Sequence, residues 1–327
     1  MLKLDSYDRK ILESLLINSR ENVSAIGKRV TLRRENVNYK INRLIKIGLI
    51  KEFNAVLDEK RMKLIHYVVF LELTNLQENS EKEILEYLKE SKYGSWVGTC
   101  AGKWSLIFDI IISESSELDK TIKDFFSQFS EFIGEYVILR LQEGNYFGFK
   151  ILGMLEKKVQ NFELKHKIKF DKKDLEILSM LNKNSRASLV EISEKVALTP
   201  NGVNNRIKNL ENMGIITNYT ISLDWKKLGY EWFGLQLKLT KFGETTDKKL
   251  SEYFEKHKKI VFYYKYLGGA WDYDIGIIAQ DSNELRLFIH EFRRNFSDTV
   301  KISDIFLTLE ETTGYILPKG VFENYQI

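Results

Sequence analysis

The side chains best able to do chemistry in this 327-residue chain are basic and amide groups gathered on one short stretch. Residues 33–51 hold Arg33, Arg34, Lys40, Arg43, Lys46 and Lys51 against one acid, Glu35, for a net charge of +5. Asn36, Asn38 and Tyr39 are interleaved with them. Guanidinium and ammonium groups neutralise phosphates, arginine can pair with guanine, and an asparagine amide can pair with adenine. Other chemistries are not assembled. His66, His166, His257 and His290 lack metal-ligand spacing, and the single Cys100 cannot build a zinc site. No Ser/His/Asp set, phosphate loop or metal cluster is visible, so no catalytic residues, metal or cofactor are expected. The net charge of the whole chain is only +4, so the distribution of charge, not its total, has to indicate a nucleic-acid partner.

The elements that must position these groups occur twice. Asp5-Ser-Tyr-Asp8-Arg-Lys-Ile11-Leu12 returns 166 residues later as Asp171-Lys-Lys-Asp174-Leu-Glu-Ile177-Leu178. The same shift carries Asn18-Ser19-Arg20 onto Asn184-Ser185-Arg186, and Ile41, Leu44 and Gly48 onto Ile207, Leu210 and Gly214. No gap is needed from Asp5 to Thr74, which meets Thr240. A period this long is a duplicated domain pair and not a solenoid repeat. Hydrophobic content of 43% and aromatic content of 13% suffice for packed cores, and this length implies two to four domains. One cysteine suits a reducing cytoplasm, no apolar run approaches a membrane span, and the N-terminus leads straight into a helix cap with no secretory signal.

Residues 4–50 read as three short helices. Asp5 is a natural cap with Asp8 three residues on, and Ile11, Leu12, Leu15 and Leu16 form a helical stripe. In the second copy Ser188-Leu-Val-Glu191 is a capping box, and Thr199-Pro200 starts the next helix with proline where its missing N–H is harmless. Val203, Ile207, Leu210 and Met213 give that helix its apolar face, Gly214 stops it, and an extended stretch follows. Three helices with a tight turn between the second and third, then a strand, make a winged helix-turn-helix. Each half continues with strands near 64–74, 95–100, 104–112 and 136–141, or 231–240, 260–267, 271–279 and 300–309, with a helix in each outer gap. That βαββαβ order is the ferredoxin-like split unit. The expected fold is α+β, with two winged helix-turn-helix domains (1–60 and 170–226) alternating with two ferredoxin-like domains (61–149 and 227–327). A charged linker over 150–169 joins the halves.

This arrangement resembles the Lrp/AsnC family of transcription regulators, here in tandem. The second copy carries the resemblance best, in Leu198-Thr-Pro-Asn-Gly-Val203-Asn-Asn-Arg206-Ile207-Lys-Asn-Leu210, Leu223-Asp-Trp-Lys-Lys-Leu-Gly229 and Gly269-Ala-Trp-Asp272-Tyr273. Each motif alone is weak; in this order, twice, they are specific. The resemblance implies a third helix in the major groove of double-stranded DNA, early residues on base edges and basic ones on phosphates. The DNA-facing set is then Thr199, Asn201, Asn204, Asn205 and Arg206, with Arg33, Arg34, Asn36, Asn38, Tyr39, Lys40 and Arg43 in the first copy. A polar helix face with scattered lysines is usually just solvated, but here the charge sits on the element that the motif marks. The copies differ: residues 199–217 carry only +1, Arg33 stands where Thr199 caps, and Lys40 stands where Arg206 does.

The resemblance also implies a small-molecule effector, often an amino acid, near the glycine–aspartate turn. Gly269, Asp272 and Tyr273 match that turn, where glycine lets backbone N–H groups approach a carboxylate and an acid can hold an ammonium. A turn glycine and a solvated aspartate are an equally good reading. The first half has Ser105 in place of Asp272, so at most one such pocket per chain is expected. Siroheme decarboxylases share this two-domain build and are the rival enzyme class. Their histidine-containing stretch has no counterpart in Cys100-Ala-Gly-Lys-Trp104 or Leu267-Gly-Gly-Ala-Trp271. A metabolite-sensing adaptor without DNA binding is a third class, against which the polar residues from Thr199 to Arg206 speak. The expected protein is a cytoplasmic, homo-oligomeric DNA-binding regulator with no membrane partner, one chain imitating a dimer.

Overall fold

The computed structural model describes residues 2–77, 79–154, 171–313 and 317–325. Helices α1 (Ser6–Ile17), α2 (Val23–Val30) and α3 (Arg34–Lys46) precede strand β1 (Ile50–Leu57). There follow β2 (Ile65–Leu73), α4 (Ser80–Glu90), β3 (Gly94–Ala101), β4 (Leu106–Ile112), α5 (Ser115–Phe129) and β5 (Ile133–Tyr146). The order returns as α6 (Lys172–Lys183), α7 (Leu189–Val196), α8 (Pro200–Asn212) and β6 (Ile216–Leu223). It continues through β7 (Glu231–Leu239), α9 (Glu244–Lys256), β8 (Ile260–Leu267), β9 (Tyr273–Ala279), α10 (Ser282–Phe296) and β10 (Val300–Thr313), and ends on a short α11 (Lys319–Glu323). The fold is α+β, built from winged helix-turn-helix and ferredoxin-type units. Most of the expected linker, residues 155–169, lies outside the described residues. Its first residues are not a solvated bridge: Leu152 and Met154, with Phe149 just before the linker, pack against the first three-helix core.

Local sequence accounts for the helix ends. Asp5 and Asp171 each accept from the N–H three residues on, and the acid there accepts back from the cap. The turn between the second and third helices puts a non-glycine residue in the left-handed region at equivalent places, Thr31 (φ 61°) and Ala197 (φ 51°).

The wings are exchanged. β1 and β6 pair antiparallel with each other, Phe53 opposite Ile221 and Ala55 opposite Tyr219. Ile221 and Leu223 thereby complete the core of α1–α3, while Ala55 and Leu57 complete that of α6–α8. The repeated Asn-Ser-Arg corners lock this exchange. Ser19 N–H donates to the Tyr219 carbonyl (3.1 Å) and Ser185 N–H to that of Phe53 (2.8 Å). The two serine hydroxyls meet at 2.6 Å.

The other eight strands close into a barrel, β10-β3-β4-β2-β5-β8-β9-β7. Each ferredoxin-type sheet turns one apolar face to its own two helices, where Phe125 and Phe129 or Phe288 and Phe292 are buried. The other face looks into the barrel. β5 and β10 run longer than their local pattern predicts, and the reason is non-local. The second half of β5 pairs with β8, Arg140 opposite Leu267 and Tyr146 opposite Phe262, and the end of β10 pairs with β3. Unpaired backbone at those edges would otherwise remain open.

Inside the barrel Phe70 meets Trp271 edge-on, with ring centroids 4.8 Å apart, and packs with Trp104, Tyr266 and Phe306. Polar groups share this space. Gln236 lies directly across from Asp274, and Trp104 Nε1 donates to Gln236 Oε1 (3.2 Å). The buried His66 imidazole sits between Glu59 (3.0 Å) and Asp109 (3.4 Å). Burial works against the imidazolium, but the two carboxylates overcome it and raise its pKa to about 10. Burial pushes Asp109 and, still more, Asp274 upward.

Two consequences can be measured. Ile221→Ala removes a core contact of the other copy's helices and should cost about 2–5 kcal/mol in chemical denaturation. Hydrogen exchange should then show α1–α3 losing protection; loss confined to α6–α8 would contradict the exchange of wings. For His66, a folded pKa above the unfolded ~6.5 means its stabilisation is full below that pH and is lost as pH rises towards about 10. Lys150, pushed down to about 8 by burial, acts oppositely. The difference between wild type and His66→Gln isolates the histidine. It should be about 3–5 kcal/mol at pH 6 and shrink towards pH 10, whereas a pH-independent difference would show that His66 carries no charge in the fold.

Candidate nucleic-acid interface and the glycine turn

α3 and α8 present the polar faces that the sequence marks. On both, the apolar side is buried: Val37, Ile41 and Leu44 on one, Val203, Ile207 and Leu210 on the other. Arg33, Arg34, Asn36, Asn38 and Tyr39 are exposed on the first, as are Thr199, Asn201 and Asn205 on the second. Tyr39 is 70% exposed, a large ring with no core role. Asn204 is half-buried. Thr199 Oγ1 caps α8 by accepting from Gly202 N–H (3.1 Å), whereas Arg33, at the same position, supplies no side-chain cap to α3.

Three cations of the expected set are placed differently. Lys40 Nζ binds Asp5 (2.6 Å) and Asp8 (3.1 Å), and Arg43 Nη2 binds Asp8 at 2.5 Å. Arg206 Nη1 binds Asp171 (2.9 Å) and Asp174 (2.8 Å). Each recognition helix is thus fastened to the acidic cap of the first helix of its own unit. The Lys40 ammonium holds the Asp5 carboxyl below its ordinary range. These side chains, placed toward DNA by the family resemblance, are ion-paired within their own unit. A signal for this was present in the sequence: acid and cation lie 35 residues apart in both copies, Asp5 to Lys40 and Asp171 to Arg206.

The glycine turn is also occupied by its own chain. Asp272 Oδ2 accepts from Leu239 N–H (2.7 Å) and Oδ1 lies 3.3 Å from Lys238 Nζ. Ser105 Oγ does the same for Leu73 N–H (3.1 Å), so serine and aspartate are equivalent strand fasteners. Gly269 has φ +138°, and a Cβ there would come within 2.3 Å of the Leu139 side chain across the barrel. Tyr273 is buried beneath α9, donates to Asp247 Oδ1 (2.6 Å) and faces the helix-side core. Sequence reasoning missed the buried set inside the barrel, His66, Asp109, Gln236 and Asp274. Their only sign was a charged or amide residue in an otherwise apolar strand.

With this geometry in view, the likenesses to other proteins are consistent. A family model described as winged helix-turn-helix DNA-binding matches residues 170–217. The HTH-type transcriptional regulator LrpC of Bacillus subtilis is 33% identical over 129 residues, 38% of this chain and 84% of that regulator. The HTH-type transcriptional regulator Ptr1 of Methanocaldococcus jannaschii is 38% identical over 126 residues, 37% of this chain and 80% of its own length. Over the whole length the fold is similar to that of the siroheme decarboxylase NirDL, with a TM-score of 0.64 across 98% of both chains at 11% identity. At that identity the likeness is one of fold alone. Helix faces, caps and sequence agree, and the chain belongs to the Lrp/AsnC family of HTH-type transcriptional regulators.

Proposed function

We propose that the protein is a sequence-specific DNA-binding transcription regulator in which a tandem duplication lets one chain do the work of a dimer. The observation that carries this reading is the pair of recognition helices, each with a buried apolar side and an exposed face of amide, hydroxyl and guanidinium groups. Arg33 and Arg34 are the phosphate-binding cations of the first helix. Asn36, Asn38, Asn201 and Asn205 are the base-reading amides, and Tyr39 packs against the groove wall. Arg206, Lys40 and Arg43 act through position, holding the helices at a fixed angle to α6 and α1. The glycine turn, with Asp272 engaged by Lys238 and Leu239, is the place where an effector would have to compete with the chain's own contacts.

The rival reading, a siroheme-decarboxylase-like enzyme, draws on the whole-chain fold likeness. An absorbance titration with siroheme separates it: a saturable spectral shift with product formation favours the enzyme.

Two measurements test the DNA reading. Arg33→Ala with Arg34→Ala should weaken duplex binding broadly and flatten its salt slope by about two units. An unchanged slope would remove α3 from the interface. Because α3 and α8 carry different residues at matched positions, selection from random duplexes should return a non-palindromic site, with half-site centres about one helical turn apart (~34 Å) or a multiple of it. Recovery of a short perfect palindrome by a monomeric chain would mean that the two helices read alike.

A further inference from the structure

The Asn-Ser-Arg corners do more than join the two units. Between them opens a cavity of about 340 Å³, lined by Arg20 and Arg186 and by Arg34 and Asn38 of α3. The first residues of α2 and the cap of α7, Ser188, also reach it, and both helices run eight residues away from it. Helix N-termini present unpaired N–H groups and partial positive charge. The one acid in the lining, Glu21, is bound by both terminal nitrogens of Arg29, so its charge is already answered.

The two corner arginines are equivalent by repeat but not in bonding. Arg20 donates through Nη1 to the carbonyls of Ser185 and Ala187 (the latter at 3.0 Å) and lies over the Tyr219 ring. Arg186 lies over the Phe53 ring, and its Nη1 is buried without a hydrogen-bond partner. Burial and the neighbouring Arg20 charge both disfavour its cationic form. A buried guanidinium nitrogen without an acceptor, beside like charge, is costly unless an anion comes to it. On the other side of the repeat, the position of Arg34 is taken by Pro200, so the cationic lining belongs to one face only.

We propose that this cleft is a phosphate seat in which Arg186 and Arg34 hold a phosphate group against the start of α2. As a deepening of the DNA reading, on which it rests for its natural ligand, the phosphate is a backbone phosphodiester of duplex DNA held between α3 and the two Asn-Ser-Arg corners. A free phosphate compound offers the same chemistry and would occupy the seat in the absence of DNA.

Calorimetric titration of the full chain with inorganic phosphate, paired with a duplex salt series, tests this. Arg186→Gln should weaken phosphate binding about tenfold and flatten the DNA salt slope by about one unit. Arg34→Gln, at an exposed position that cannot unfold the corner, should do the same. Arg33→Gln should flatten the slope yet leave the phosphate titration unchanged. Phosphate binding lost in both seat variants, with no duplex binding by the wild type, would keep the seat for a free phosphate compound and overturn the DNA reading. Duplex binding with unchanged slope and unchanged phosphate heats in both seat variants would overturn the seat and leave the DNA reading standing.

Discussion

Every part of this molecule depends on the fact that its two sheets are apolar on both faces. Helices cover one face of each; the other must be taken from water by something, and the opposite sheet is the partner that does so. Pairing β5 with β8 and β10 with β3 achieves this and removes four open edges at once. The barrel then fixes where the wings emerge, the wings fix the two three-helix units, and those units fix the separation of α3 and α8. A single packing requirement sets the distance between α3 and α8.

The interior of that barrel is not purely apolar, and the asymmetry between copies is concentrated there. Phe70 of the first sheet occupies the position that Gln236 holds in the second, and Ile107 the position of Asp274. Both sheets supply rings and polar groups to this space, but at different positions. Duplication followed by divergence has left the outer framework the same and altered its inside.

Much of the fold was legible in the sequence because its determinants are local. Thr199-Pro200, the capping boxes at Asp5 and Asp171 and the stripes through Ile41 and Ile207 each mark an element within a few residues. What could not be read locally was pairing over long distance. The full lengths of β5 and β10, and the exchange of β1 with β6, depend on strands more than a hundred residues away. The candidate site divides in the same way. Exposed Asn38 and Tyr39 follow from helical periodicity, whereas the shared 35-residue spacing hints at the capture of Arg206 by Asp171 and Asp174 but only the crossing of α6 and α8 fixes it. Strand alternation turns Tyr273 under α9, a parity that the turn motif alone does not fix.

The exchanged wings have a consequence for dosage. If the same wings were exchanged between two separate chains, each helix-turn-helix core would be completed only on association, and its population would fall with dilution. Here the partner strand is covalently present, at an effective concentration set by the chain itself. Two complete units should therefore persist at copy numbers where a dissociable pair would fall apart, and a change in one half is never mixed with an unchanged half from another molecule. Under such linkage the two recognition helices are free to drift apart in sequence, as Arg33 and Thr199 have done.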